Sequence, residues 1–106
     1  MLTAVHRISM NLGPFTAEGW AEIESLVAVV CMNMIVLGEG AYQLSASLKA
    51  EEPEVPWDDM KGLRNRLAHA YMRADLKRVW EAATFEVPRL EAPLQRLLDS
   101  LGPEED

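Results

Sequence analysis

The chain is organised around the stretch LRNRLAHAY, residues 63–71. Its polar side chains follow a simple spacing: Arg64, four residues, His69, one residue, Tyr71. In an α-helix, at about 100° per residue, Arg64 and Tyr71 lie together on one flank. The apolar residues of this helix share one face: Met60, Leu63, Leu67, Ala70 and Ala74. The spacing therefore predicts a helix that packs against a core along one side.

The side of this helix away from the core is chemically unusual. His69 and Asn65 point roughly opposite to the apolar face, with Arg66 and Arg73 beside them. Histidine titrates near neutral pH, and arginine offers a planar fork for phosphate oxygens. This combination favours the handling of a phosphate over packing, although a histidine that hydrogen-bonds across an interface, with Arg64 in ion pairs, would also fit.

Outside this stretch, apolar residues recur at steps of three and four, the spacing of amphipathic helices. We predict a short helix over 3–11, a long helix over 16–48 capped by Thr16, a third over 56–72, and a fourth capped by Asp75. Pro88 and Pro93 are expected to bend or restart the last helix. No stretch is typical of a strand, so the predicted fold is an all-α, up-and-down bundle of four to five helices.

The second helix is apolar on both sides between residues 26 and 37. Val29, Met32 and Val36 lie opposite the main apolar face. A helix that is apolar all round is covered on both sides. In so small a protein, a second copy of the chain is the simplest cover, so we expect a homodimer.

Length and composition indicate one domain over residues 1–106, with an acidic tail at 102–106. The single cysteine, Cys31, excludes an internal disulfide and fits a reducing compartment. The beginning of the chain does not resemble a signal peptide, and the apolar run at 26–37 is too short to cross a bilayer. We therefore expect a cytoplasmic protein with no membrane partner.

The net charge of −7 is unevenly distributed. Residues 61–78 form a basic window that contains one acidic residue, Asp75, and six basic residues: Lys61, Arg64, Arg66, Arg73, Lys77 and Arg78. That window carries +5, so the rest of the chain carries −12. The acidic remainder disfavours non-specific binding to polyanions, but the basic window can hold a few phosphates. A solvated basic helix face is the alternative interpretation.

The sequence offers no familiar metal or cofactor site. Its two histidines and one cysteine are far apart and lack the spacing of metal ligands. Ser45 and Ser47 have no context that would make either a nucleophile. We therefore predict no metal and no cofactor.

Several motifs together resemble the HepT-like branch of the HEPN family. They are residues 56–71 with the Pro-Trp lead-in, Asp75-Leu76, and Val79-Trp80. Upstream, Asn33 and Leu37-Gly38-Glu39 resemble the "N…IGE" helix of that branch. The likeness covers roughly residues 20–97. Relatives often carry Glu before the "IGE" element, where this chain has Ile35, and their first helix is usually longer.

The resemblance implies a metal-independent endoribonuclease toxin with an Arg-x4-His-x-Tyr motif. Such a reaction needs a base for the ribose 2′-hydroxyl and a cation for the phosphorane. His69 is the predicted base, Arg64 the predicted cation, and Asn65 could orient the imidazole. Further contacts to RNA phosphates are predicted for Arg66, Arg73 and Lys61. Arg64 and His69 are about 140° apart on one helix, and the resemblance to HEPN dimers implies that two copies share a site.

The resemblance also implies a partner, an MNT-type minimal nucleotidyltransferase that acts as antitoxin. This enzyme would transfer AMP to the motif tyrosine, Tyr71. Added phosphates beside Arg64 would occupy its cation and repel RNA. The plainer interpretation of Tyr71 is a partly buried aromatic residue that supports the helix.

Two other functions compete with the ribonuclease. The chain could be a non-catalytic partner of a nucleotidyltransferase that binds nucleotide or only protein, or it could be a structural dimerisation module. A neighbouring nucleotidyltransferase gene would disfavour the structural module. Cleavage of RNA by the purified protein would separate the ribonuclease from the non-catalytic partner.

Overall fold

A computed structural model describes residues 1–73 and 75–101, and at Arg64 it describes the backbone alone. Within these ranges the chain is helical, with no strand. The helices are α1 Leu2–Leu12, α2 Ala17–Ala21, α3 Glu24–Gln43, α4 Ala46–Ala50, α5 Trp57–Lys61, α6 Leu63–Met72, α7 Leu76–Glu81 and α8 Glu91–Leu101, with a π-helical turn Ala82–Glu86 and a 3-10 turn Val87–Leu90 between the last two. The predicted all-α fold is confirmed.

The long helices pack in chain order around one core. Helix α1 lies on α3, α3 also contacts α5 and α6, α6 contacts α7, and the arm from α7 to α8 returns to α1. The largest fully buried side chains include Trp20, Ile8, Met34 and Leu37. The rings of Trp20 and Trp80 lie 5.5 Å apart between centroids and tie α2 to α7. The short first helix is present as predicted and buries Val5, Ile8 and Leu12 among others.

The second predicted helix is not continuous, and that prediction was wrong. Thr16 is the expected cap, because its hydroxyl accepts from the Gly19 N–H at 3.1 Å, but α2 ends at Ala21. Ile23 is extended, and α3 begins after it. Leu44 is extended as well, and the Ser45 hydroxyl then accepts from the Leu48 N–H at 3.2 Å to start α4. The hydroxyl of Ser45, which captures a backbone N–H group, favours the restart at α4, whereas α3 begins without a side-chain cap.

The third predicted helix is also divided, at Gly62. Helix α5 starts after Pro56, and Gly62 ends it with a turn before α6 begins. The buried Trp57 indole N–H donates to the carbonyls of Lys49 at 3.2 Å and Glu52 at 3.0 Å. The Pro-Trp lead-in therefore connects the segment around Lys49 and Glu52 to the start of the motif region.

The fourth arm remains helical through both of its prolines, but around Pro88 the α-helix changes to a π-helical and then a 3-10 turn, where a bend or restart was predicted. The Val87 N–H donates to the Ala82 carbonyl, five residues back, and this wider turn precedes Pro88. Because proline has no N–H to donate, a local change to π and 3-10 geometry accommodates it. Helix α8 begins at Glu91 with Pro93 in its first turn, so the new helix starts two residues before the proline at which a bend or restart was predicted.

Helix α3 is the most apolar element. An 18-residue window of this 20-residue helix has a mean hydropathy of 1.6, so by length and composition alone it could cross a membrane, contrary to the expectation from the shorter run at 26–37. One face packs against α1, α5 and α6, as in the core helix of a globular domain. The other face exposes Val29 to 37%, Met32 to 61% and Val36 to 43%. The two apolar faces predicted for this helix are therefore both present, and the outer one lies open in the single chain.

Cys31 lies on the inner side of α3. It is a free thiol and is buried. Burial raises the pKa of this thiol, which disfavours the reactive thiolate. The cysteine acts as a small apolar core residue.

Candidate active site

Helix α6 presents the motif as its spacing predicted. Leu67 and Ala70 are buried, while Asn65 and His69 are exposed on the side away from the core. Asn65 precedes His69 by one helical turn, so the two side chains can meet on the surface. A histidine in this position is available to a ligand.

The backbone of Arg64 belongs to α6, but its side chain lies outside the described residues. The predicted role of its guanidinium therefore stays a prediction. Tyr71, on the same flank of an ideal helix, is 44% exposed. Its ring is thus partly covered, and the phenol region is within reach of solvent or a partner.

The other predicted phosphate contacts differ in their surroundings. Arg66 donates from Nη2 to the Asp59 carbonyl at 2.6 Å, which ties the guanidinium to α5. Lys61 lies on α5 and forms an ion pair with Asp58, with 3.1 Å between Nζ and Oδ1. Arg73 follows α6 directly and is exposed. Lys61 and Arg66 therefore lie near the start of the motif helix, and Arg73 lies at its end.

The "N…IGE" element lies on α3, the helix against which α6 packs. Asn33 is buried, and its side-chain amide donates to the Val29 carbonyl at 2.8 Å. Gly38 is buried and Glu39 is half-buried. Ile35, where relatives often have Glu, is half-buried and packs against the core. That position has a packing role in this chain.

Asp75 occupies the N-cap position of α7 as predicted, but its side chain makes no cap hydrogen bond. It instead approaches Arg78, with 3.5 Å between Oδ2 and Nε. The sharp turn from α6 is closed by the backbone, since the Asp75 N–H donates to the Ala70 carbonyl at 2.8 Å. Arg78 is therefore oriented by a carboxylate at the corner between α6 and α7.

A cavity of about 310 Å³ opens between α6 and the following arm. Arg66 lines it from α6, Arg78 and Glu81 from α7, and Phe85 and Glu86 from the π-helical turn. The sequence analysis did not assign Phe85, Glu81 or Glu86 to a site. The available signal was that Val79, Ala83 and Val87 repeat every four residues and Phe85 falls outside this repeat. Phe85 is therefore an aromatic residue off the core face.

Among the described residues, no group of three or more His, Cys, Asp or Glu side chains is placed to hold a metal ion. The two histidines are on different helices. His6 lies on α1, with 3.9 Å between its Nε2 and Oε1 of Glu91. It is exposed, and it lies on the first helix, whereas the motif lies on α6.

Comparison with known proteins supports the resemblance drawn from the motifs. A protein of Methanocaldococcus jannaschii named "putative RNase" is 27% identical over 66 residues, 62% of this chain and 57% of that protein. One of Caldanaerobacter subterraneus, also named "putative RNase", is 29% identical over 81 residues, 76% of this chain and 72% of its own length. One of Thermococcus cleftensis named "probable ribonuclease HepT" is 29% identical over 62 residues, 58% of this chain and 56% of its own length.

The chain spans little more than half the length of several of these curated relatives, from 54% to 57% for three of them. No solved structure is significantly similar to it. The model of the family described as "Ribonuclease HepT-like" matches residues 1–97, so the match includes the short first helix as well as the motif helix. The chain therefore belongs to the HepT-like ribonuclease family.

Proposed function

We propose that this protein is a metal-independent endoribonuclease, the toxin of a HEPN/MNT toxin–antitoxin pair, acting in the cytoplasm. The observation that carries the proposal is the exposed His69 on α6, set in the basic window of an otherwise acidic chain. Family membership supports a ribonuclease chemistry for this histidine.

The proposed reaction uses the substrate's own ribose as nucleophile. His69 accepts the proton of a 2′-hydroxyl, and the 2′-oxygen attacks the adjacent phosphorus. The bond from phosphorus to the 5′-oxygen breaks, and that oxygen leaves as a hydroxyl after taking a proton from water. The products end in a 2′,3′-cyclic phosphate and a 5′-hydroxyl. Arg64 stabilises the charge on the phosphorane, and Asn65 holds the imidazole.

A complete site is proposed to need two copies of the chain. On an ideal helix, residues 64 and 69 are about 140° apart, so we do not expect both side chains of one copy to reach the same phosphate. Helix α3, against which α6 packs, has an exposed apolar row formed by Val29, Met32 and Val36. We propose that two copies bury this row and that motif side chains from both copies surround one phosphate.

The proposal is tested by incubating the purified protein with single-stranded RNA. We expect cleavage products with 2′,3′-cyclic phosphate ends, at the same rate with and without a chelator such as EDTA. We also expect expression of the protein alone to inhibit growth. An inability to cleave any RNA would favour the non-catalytic partner of a nucleotidyltransferase.

Tyr71 is the proposed site of neutralisation by the nucleotidyltransferase antitoxin. Its phenol oxygen would attack the α-phosphorus of a nucleoside triphosphate, and pyrophosphate would leave. The partial exposure of the ring supports access by such an enzyme. The phosphate added on the Arg64 flank would compete for the cation that RNA needs.

Coexpression with the cognate nucleotidyltransferase is expected to add one or more AMP units, seen as a mass increase of the intact protein. Tyr71→Phe should abolish the increase, because the acceptor oxygen is removed. The matched control is Tyr42→Phe, which changes the only other tyrosine, 69% exposed on α3. Loss of labelling in the Tyr42 variant with retention in the Tyr71 variant would move the acceptor to α3.

A further inference from the structure

The cavity between α6 and the π-helical turn has the features of a nucleobase site. We propose that it holds one unpaired base of the RNA, next to the nucleotide at which cleavage occurs. This inference rests on the proposed function and adds to it a subsite that positions single-stranded substrate. Its volume, about 310 Å³, is at the small end of ligand sites.

Phe85 is the proposed stacking platform. Its ring is 66% exposed, while its neighbours Ala83 and Val87 are buried. The π-helical geometry of residues 82–86 adds one residue to the turn, so the ring lies off the core face and at the wall of the cavity. Proteins that bind single-stranded RNA commonly stack unpaired bases on exposed aromatic rings of this kind.

Two arginines at the same cavity provide charge for the adjoining phosphates. Arg66 uses one of its five N–H donors to bind the Asp59 carbonyl, which fixes the side chain while others remain for a ligand. Arg78 is held near Asp75 and is largely exposed. Both belong to the basic window of the chain. They are therefore placed to bind the sugar-phosphate backbone on either side of a stacked base.

Two carboxylates at the cavity favour a base over a second phosphate. Glu81 and Glu86 both line it and are exposed. A carboxylate repels phosphate but accepts hydrogen bonds from ring and amino N–H groups of a base. An acidic peptide or an anionic headgroup would be repelled from the same place. The cavity therefore fits a neutral aromatic group that carries N–H donors and is flanked by anions, which describes a nucleotide within RNA.

The position of the cavity relative to the motif supports a role next to the cleaved bond. Arg66 precedes His69 by three residues on α6, about 60° around the helix and about 4.5 Å along it. The cavity edge formed by Arg66 thus adjoins the face that carries His69. A phosphate at His69 would place a neighbouring nucleotide over Phe85.

The test measures the binding of a labelled single-stranded RNA to the His69→Ala protein, so that cleavage does not interfere. Adding Phe85→Ala should raise the Kd about 5- to 100-fold, the range found for loss of one stacked base. Phe85→Tyr, which keeps the ring, should restore binding. Phe15→Ala is the matched control, because Phe15 is the other phenylalanine, is 40% exposed and lines a different cavity. It should leave the Kd unchanged.

Different outcomes distinguish failure of the proposed base subsite from failure of the proposed ribonuclease function. In the cleaving protein, Phe85→Ala should raise KM with little change in kcat, the pattern of lost uniform binding. An unchanged Kd, with cleavage intact in the parent, would overturn the subsite alone. RNA binding that depends on Phe85 in a protein that cannot cleave would overturn the proposed function alone. If Phe85→Ala instead alters only the sedimentation mass, the ring is a protein contact and the subsite is wrong.

Discussion

Replacement of His69 by alanine is expected to slow RNA cleavage by about 10²–10⁴-fold, the usual cost of losing a general base. The physical reason is that the 2′-hydroxyl then has to lose its proton to water while it attacks phosphorus. The measurement is the single-turnover rate with excess protein. The same substitution should relieve growth inhibition in cells that express the chain alone.

Two controls distinguish loss of chemistry from loss of structure. His69 is exposed, so its replacement should change the free energy of unfolding by only about 0.5 kcal/mol, measured by denaturant titration. His6→Ala removes the other histidine, also exposed, and should leave cleavage unaffected. A His69→Ala protein that cleaves as fast as the parent would exclude the proposed base, and one that unfolds would make the histidine structural.

Met32→Lys is expected to separate the proposed dimer and thereby reduce cleavage. The substitution places a charge in the middle of the apolar row on α3, twice in a symmetric dimer. Burying unpaired charges costs several kcal/mol, so the dimer Kd should rise by more than about 100-fold. Sedimentation at micromolar concentration should change from about twice the chain mass to the chain mass.

Met10→Lys provides the matched control for this prediction. Met10 is 78% exposed on α1, so the same chemical change falls on a different surface. It should affect neither the mass nor the rate. A parent protein that sediments as a monomer while cleaving RNA would contradict the two-copy site. So would a Met32→Lys monomer with full activity.

The orientation of the motif helix could be predicted from sequence because its apolar residues repeat at strict helical spacing. Leu67 and Ala70 are buried and His69 is exposed, as that spacing requires. The same spacing does not mark where the helices end. Periodicity continues across Ile23 and Gly62, so it could not reveal that the backbone turns at both. Such breaks depend on capping and tertiary packing, which outweigh local propensity.

The cavity beside the motif could not be predicted for a related reason. Its wall depends on the π-helical turn before Pro88, and a single extra residue in a turn leaves little trace in apolar spacing. Phe85 was therefore not recognised as a candidate, although its departure from the apolar stripe was visible. Arg66 was recognised as basic, but its bond to the Asp59 carbonyl depends on the fold between α5 and α6.

The partnership between two copies depends on surfaces whose complement is outside a single chain. The row of Val29, Met32 and Val36 could be identified from sequence and is exposed in the structure. In a symmetric dimer the opposing surface is the same row on a second copy, and one folded chain does not show how the two rows meet. The dimer and the nucleotidyltransferase partner are for that reason proposals that depend on measurement in solution.

The most direct measurement of the central claim compares two substrates that differ by one oxygen atom. The first is an RNA oligonucleotide cut by the purified protein, and the second carries a single 2′-deoxy nucleotide at the cleaved position. If His69 activates the 2′-hydroxyl, the first yields a 2′,3′-cyclic phosphate and the second is not cut at that bond, with or without EDTA. Equal cleavage of both substrates at that bond would contradict the account.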